Sequence, residues 1–306
     1  LFLVTPPFTQ LNTPYPATAY IKGFLNTINV DSVQADLGIE VILKLFSKHG
    51  LEQMFQSISH PERSRRATTD NSTRIFALQD EYVKTIDSVI AFLQGKNPTL
   101  ALQICQEDYL PEASRFAQLE ELDWAFGSMG TQDKAKHLAT LYLEDISDFI
   151  VECIDENFGF SRYAERLGRS ANSFDELYQS LQQNPTYIDE VLFELLKEKF
   201  ETIKPTLFLI SVPFPGNLYS AFRSAQWVKK HYPEIKIVMG GGFPNTELRS
   251  LTDARVFEFF DFITLDDGEA PIEELINAVT LSAVEGTNSH SYKRTFILEN
   301  GKVVYK

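Results

Sequence analysis

Cysteine is almost absent from this chain: Cys105 and Cys153 are the two among 306 residues, too few for a disulfide framework, a zinc knuckle or an iron–sulfur cluster held by three or four thiolates. Both fall in stretches of helical period and read as small buried hydrophobes. Basic charge is short as well. Twenty-eight Lys plus Arg against 42 Asp plus Glu leave a net charge of −14, which repels phosphate backbones and argues against nucleic-acid binding. No apolar run approaches the ~20 residues of a membrane span, and the opening LFLVTPPF is too short and uncharged for a signal peptide. A cytoplasmic protein without a membrane partner is expected. The chain opens inside an apolar run and without Met, so it is expected to be part of a longer protein.

What is present is enough for two domains, since 43% of the residues are hydrophobic. Leu1 to Val4 reads as a buried strand stopped by Pro6 and Pro7, Ala17 to Leu25 as a helix with Pro16 near its first turn, and Ser32 to Ala35 as a second strand ending at Asp36. From Gly38 to about Thr202 the period is helical. Ile39, Ile42, Leu43 and Phe46 form one stripe, Leu78, Tyr82, Ile86, Ile90 and Leu93 a second, and Leu138, Leu141, Ile146, Phe149, Ile150 and Cys153 a third. Ser173 with Glu176 fits a capping box. Arg63, Arg65 and Arg66 lie in a polar, loop-like stretch, while Trp124 and Trp227 read as core aromatics. After Pro205, LFLIS, IKIVM and DFITL read as strands alternating with helices at Leu218–Tyr232 and Ala270–Ala278. The expected fold is α/β: a Rossmann-like, five-stranded parallel sheet from 1–36 and 204–285, with an all-helical insertion at 37–203. In the tail, Asn300-Gly301 between two strand-like runs signals a hairpin, read as a linker at 286–306 toward a further domain.

Ligands of open parallel sheets bind outside the carboxyl ends of the strands. Those ends are TPPFTQ, DLGIE, SVPFPGN, GGGFPNTE and DDGE. Loops built only for connection seldom combine three Pro-Phe or Phe-Pro steps with a triple glycine. Taken alone, Gly240, Gly241 and Gly242 read as a tight turn more readily than as a ligand site, and Asp266 with Asp267 as loop or cap carboxylates more readily than as a cation site.

In order along the chain, VTPPF, SVPFPGNLYSA, VMGGGFPNTELR and DFITLDDGEAPIEELI resemble the cobalamin-binding domain at the N-terminus of class B radical S-adenosylmethionine enzymes. The resemblance covers about 1–36 and 205–281 and says nothing of the helical block. It implies a cobalamin across the carboxyl edge, its nucleotide tail beside the third and fourth strands. Ser211 matches the hydroxyl residue of the tail pocket, with Pro213 and Asn217 on the same loop. Gly240, Gly241 and Gly242 match the glycine turn that makes room for the tail, and Gly268 with Glu269 the Gly-Glu step after the last strand. Thr5, Pro6, Pro7 and Phe8 match the first loop, facing the cobalt side of the corrin.

Two departures bear on the cofactor. The D-x-H-x-x-G loop of mutase-like cobalamin domains is missing, and none of the five histidines lies in such a motif, so cobalamin is expected base-off with no protein ligand to cobalt and no metal-ligating residue in this chain. Pro213 stands where Leu is common in the mutase-like group. The radical cluster motif C-x-x-x-C-x-x-C is also missing, so no catalytic residue is assigned here. The four-iron cluster and S-adenosylmethionine are expected only in a C-terminal catalytic domain, the expected partner of this module, for methyl transfer to a substrate radical or another radical step. The competing reading is a stand-alone regulatory or interaction protein that binds a small molecule, with the helical block meeting a partner.

Overall fold

Side-chain alternation along the strands decides which helices pack where. In the computed structural model, β1 (Phe2–Thr5), β2 (Val33–Asp36), β3 (Leu207–Ser211), β4 (Lys236–Gly240) and β5 (Phe262–Thr264) are parallel neighbours in the order β2-β1-β3-β4-β5. The structure describes residues 1–58, 69–106, 108–121, 130–169, 173–285 and 292–306. Successive side chains of a strand point to opposite faces. Leu3, Leu207, Leu209 and Val238 form one apolar face with Leu25 of α1 (Ala17–Thr27) and with Ile272 and Leu275 of the last helix, Glu269–Glu285. Phe2 and Phe208 point the other way, where their rings lie 5.9 and 5.1 Å from that of Phe200.

The all-parallel, five-stranded sheet expected from sequence is corrected by two further strands. β6 (Thr295–Glu299) pairs antiparallel with β5 and with β7 (Lys302–Tyr305), giving one mixed sheet of seven strands. The Asn300-Gly301 turn forms as expected, with φ of 50° and 74°, the left-handed pair that a tight hairpin requires. Its strands are not a free linker: Phe296 and Ile297 are buried, and β6 covers the edge that the three-residue β5 would leave unpaired.

By internal contacts the chain divides into Leu1–Val41 with Phe160–Lys306, and Ile42–Gly159. The segment after Phe160 therefore goes with the sheet, where the sequence reading had extended the helical insertion to 203. Phe200 is the physical reason, because it packs on Phe2 and Phe208. Within Ile42–Gly159 the described elements are helical. They include α2 (Lys48–Ile58), α3 (Asp70–Ala77), α4 (Gln79–Leu93), α5 (Ala101–Ile104) and α6 (Thr131–Cys153). Tyr82 and Tyr142 stack at 5.1 Å, and the Tyr142 hydroxyl meets Thr85 Oγ1 at 3.0 Å. Leu43 and Leu93, counted into stripes by spacing, lie at the exposed margin, and Cys105 is only partly buried. The Arg63, Arg65 and Arg66 cluster and Trp124 lie outside the described residues. Among the described residues no helix is long and apolar enough to cross a membrane.

A buried charge knot orders the helices around the sheet unit. α7 (Glu165–Arg169), α8 (Asp175–Leu181) and α9 (Tyr187–Ile203) precede β3, and α10 (Leu218–His231) follows it. The expected Ser173–Glu176 capping box does not form: Ser173 Oγ accepts from Asp175 N, and the box is Thr186 with Asp189 at the start of α9. The same Asp189 accepts from the Tyr219 hydroxyl at 2.9 Å and faces Arg223 Nε at 3.1 Å. Arg223, 2% exposed, also donates to the carbonyls of Ser180, Leu181 and Gln183 at the end of α8. One guanidinium thus satisfies carbonyls that a helix end leaves without partners while neutralising a fully buried carboxylate. Arg223→Met should cost about 3–5 kcal/mol, because it strands Asp189 without a counter-charge. Urea unfolding measures this, and a loss below ~1 kcal/mol would show that the knot is dispensable.

Candidate functional site

Parallel pairing brings the ends of β3, β4 and β5 side by side, and backbone hydrogen bonds lock the first two of their loops together. Val212 N donates to Gly240 O at 2.7 Å, and Phe243 N donates to Val212 O at 2.9 Å. Contact this close excludes side chains on the glycine turn. A Cβ on Gly241, whose φ is +108°, would lie 2.7 to 2.9 Å from the Val212 backbone; one on Gly242 would lie 2.7 Å from Pro213 O, and one on Gly240 2.7 Å from Thr264 Oγ1. The triple glycine therefore answers first to the packing of one loop on another. Asn245, in the short α11 (Gly242–Glu247), extends the lock to the third loop. Its side chain accepts from Asp266 N and donates to Asp266 O, while Arg249 pairs with the Asp266 carboxylate. Asp266 is thus a loop carboxylate.

Beside this locked edge opens a cleft of about 490 Å3, within the range of small-molecule sites. Its floor is apolar: Leu3, Leu209 and Val238 of the sheet, Ile21 of α1, and Ile272 of α12 (Glu269–Glu285). Ser211 and the Gly240–Gly242 turn bound one side, and Asp266, Asp267, Gly268 and Glu269 another. Glu269 is partly buried, its Oε2 atom fully so. The Tyr20 phenol is held above its ordinary pKa by a hydrogen bond to the Glu269 carboxylate and by that carboxylate's charge.

Six of the twelve residues that the resemblance assigned to a cofactor line this cleft: Ser211, Gly240, Gly241, Gly242, Gly268 and Glu269. The other six do not line it. Thr5, Pro6, Pro7 and Phe8, expected to face the cobalt side of a corrin, are buried, Thr5 and Phe8 being 0% exposed. Phe8 packs on Tyr163 with ring centroids 5.8 Å apart, and Phe8 N and Tyr163 N both donate to Gly216 O. Asn217 is turned inward, its Nδ2 donating to Pro6 O at 2.6 Å, so it ties the β1 loop to the β3 loop. Pro213 is buried over Gly242.

Sequence reasoning missed the opposite rim of the cleft, formed by Tyr15, Ala17, Thr18 and Tyr20. Tyr15 N donates to Asp36 Oδ2 at 3.1 Å, so the carboxylate at the end of β2 positions it. The Tyr15 ring meets that of Phe214 edge-on at 5.8 Å, and Phe214 is 53% exposed. The signal was available: the residues just before the first helix of a parallel sheet share the carboxyl edge with the strand ends.

The donor set fits a cobalamin in part. A flat heterocycle suits the apolar floor, and Ser211 and Glu269 offer polar contacts at its rim. The first loop does not fit its assigned role, because the chain itself covers it. Comparison with family models, with curated proteins and with solved structures finds no match to this chain.

The glycines separate into two kinds by what surrounds them. Gly241→Ala forces a Cβ into backbone at a left-handed φ and should lose at least ~2 kcal/mol of stability. A Cβ on Gly268 would meet the movable tip of Ile21, so Gly268→Ala should lose under about 1 kcal/mol. Denaturant midpoints of the two variants check the order, and equal losses would contradict it.

Proposed function

We propose that this chain is a cobalamin-binding module, holding the nucleotide tail of a base-off cobalamin in the cleft beside β3, β4 and β5. One observation carries the reading. Ser211, Gly240–Gly242 and Gly268–Glu269, scattered over 59 positions of sequence from Ser211 to Glu269 counting both ends, bound one cavity of about 490 Å3. The sheet order supports it as well, since 2-1-3-4-5 is a doubly wound order that gathers ligands at its carboxyl edge.

In this reading Ser211 donates or accepts one hydrogen bond, Leu209, Val238 and Ile272 exclude water from the tail, and the exposed Phe214 with Tyr15 offers an aromatic lip. Cobalamin supplies a transferable methyl group or another radical step. The residues of this chain bind and orient it. The reaction belongs to a radical S-adenosylmethionine domain that carries its own C-x-x-x-C-x-x-C cluster motif, acting in the cytoplasm.

A second reading is favoured by the burial of Thr5 to Phe8. With that loop covered, the cleft suits a smaller, nucleoside-sized ligand held by a regulatory protein.

Absorbance titration with hydroxocobalamin tests the first reading. Binding on the order of micromolar is expected, weakened several-fold by Ser211→Ala through loss of about one hydrogen bond and abolished by Ala17→Phe, which fills the cleft. No spectral change at high micromolar cobalamin, in a chain that melts cooperatively, moves the assignment to the second reading.

A further inference from the structure

The amino ends of β3 and β4 border a second cavity, of about 640 Å3 against about 490 Å3 for the cleft at their carboxyl ends. It opens between the turn from α9 into β3 and the turn from α10 into β4. Phe200, Pro205, Tyr232 and Ile235 form its apolar floor, and the exposed Glu201, Lys204 and Glu234 its charged rim. Local bonds fix both turns. Lys204, in the left-handed conformation, ends α9 and donates its N–H to Phe200 O at 2.9 Å; Tyr232 N donates to Val228 O at 2.7 Å, and Ile235 N to Tyr232 O at 3.0 Å. The Tyr232 ring is wedged 5.0 Å from that of Phe200 and 5.8 Å from that of Trp227, so an aromatic wall stands ready before any ligand arrives.

The charge of the rim decides what the floor can accept. Among the described residues Glu201, Glu234 and Lys204 have no ion-pair partner. Two carboxylates and one ammonium leave a surplus of one negative charge. The carbonyl end of α9 adds roughly half a charge more, because its last turn holds no basic residue and Pro205 has no N–H to offer the Glu201 carbonyl. α10 adds none, since Lys229, Lys230 and His231 in its last turn offset its end. An anion is therefore opposed, and a neutral molecule gains the floor alone. A cation gains the floor, the carboxylates and the face of an aromatic ring.

We infer that this cavity is a second binding site, for a small organic amine in its ammonium form: the flat or apolar body lies on Phe200, Pro205 and Ile235, and the ammonium meets Tyr232 and the Glu201–Glu234 rim. The inference is independent of the cobalamin reading, because the two cavities lie at opposite ends of β3 and β4. Since the rim carboxylates are exposed, water and salt screen them, and the selectivity they give is severalfold to tenfold rather than absolute.

Calorimetric titration of the whole chain with three probes of similar body and different head tests it: 2-phenylethylammonium, 2-phenylethanol and 3-phenylpropionate. At low ionic strength the amine should bind about threefold more tightly than the alcohol and about tenfold more tightly than the acid, and the gaps should narrow as salt is added. Glu201→Gln together with Glu234→Gln, at exposed positions, should bring the amine down to the alcohol. Tyr232→Leu should weaken the amine several-fold. Hydrogen–deuterium exchange with the amine should add protection at residues 200–206 and 232–235. Failure of the amine to bind the wild type at millimolar concentration overturns the inference, as does an acid that binds as tightly as the amine. A preference for the amine that survives the paired Gln substitutions, or protection at the carboxyl-end cleft instead, overturns it as well.

Discussion

The backbone lock between the loops after β3 and β4 is the constraint on which the candidate site depends. Val212 exchanges hydrogen bonds with Gly240 and Phe243, and this exchange is possible only because Gly241 reaches φ +108° and carries no Cβ to meet Val212. Once the two loops are joined, Ser211 and the glycine turn form a continuous wall, and Asn245 carries the wall across to Asp266. The opposite wall is α1, whose lead-in residue Tyr15 is fastened to Asp36. The cleft is the space between a rigid edge and a helix start, floored by side chains that the sheet needs for its own core.

The same edge shows how a single sheet can separate two functions by burial. At β1 the loop is closed in by Tyr163, Gly216 and the Asn217–Pro6 hydrogen bond, and it serves stability. At β3 to β5 the loops leave a cavity. The Asp189–Arg223 knot lies among the helices that precede and follow β3, so the order of those helices and the cover over β1 are held in part by one buried ion pair, whose rupture is far costlier than its net contribution.

Most of the strand and helix pattern was legible because buried strands and amphipathic helices write their period into the sequence. LFLIS and the Leu218 helix need no tertiary information. The seventh-strand outcome was hidden, since nothing local tells whether the Asn300-Gly301 hairpin pairs with β5 or leads elsewhere. The place of Tyr187–Ile203 was hidden likewise: its apolar face looks the same whether it packs on a helix or on Phe2 and Phe208. At the site, strand ends and glycines could be found from order along the chain. The burial of Thr5 to Phe8 could not, because it depends on Tyr163, more than 150 residues away in sequence. The glycines were legible as a turn but not their purpose, which is set by the distance to Val212.

Hydrogen–deuterium exchange with and without hydroxocobalamin locates the ligand on the fold most directly. The account predicts new protection at residues 15–21, 211–212, 240–247 and 264–272, the walls of the cleft, and no change at residues 5–9, which are already buried. Protection confined to residues 5–9, or none at the cleft while the cofactor is bound, would contradict it.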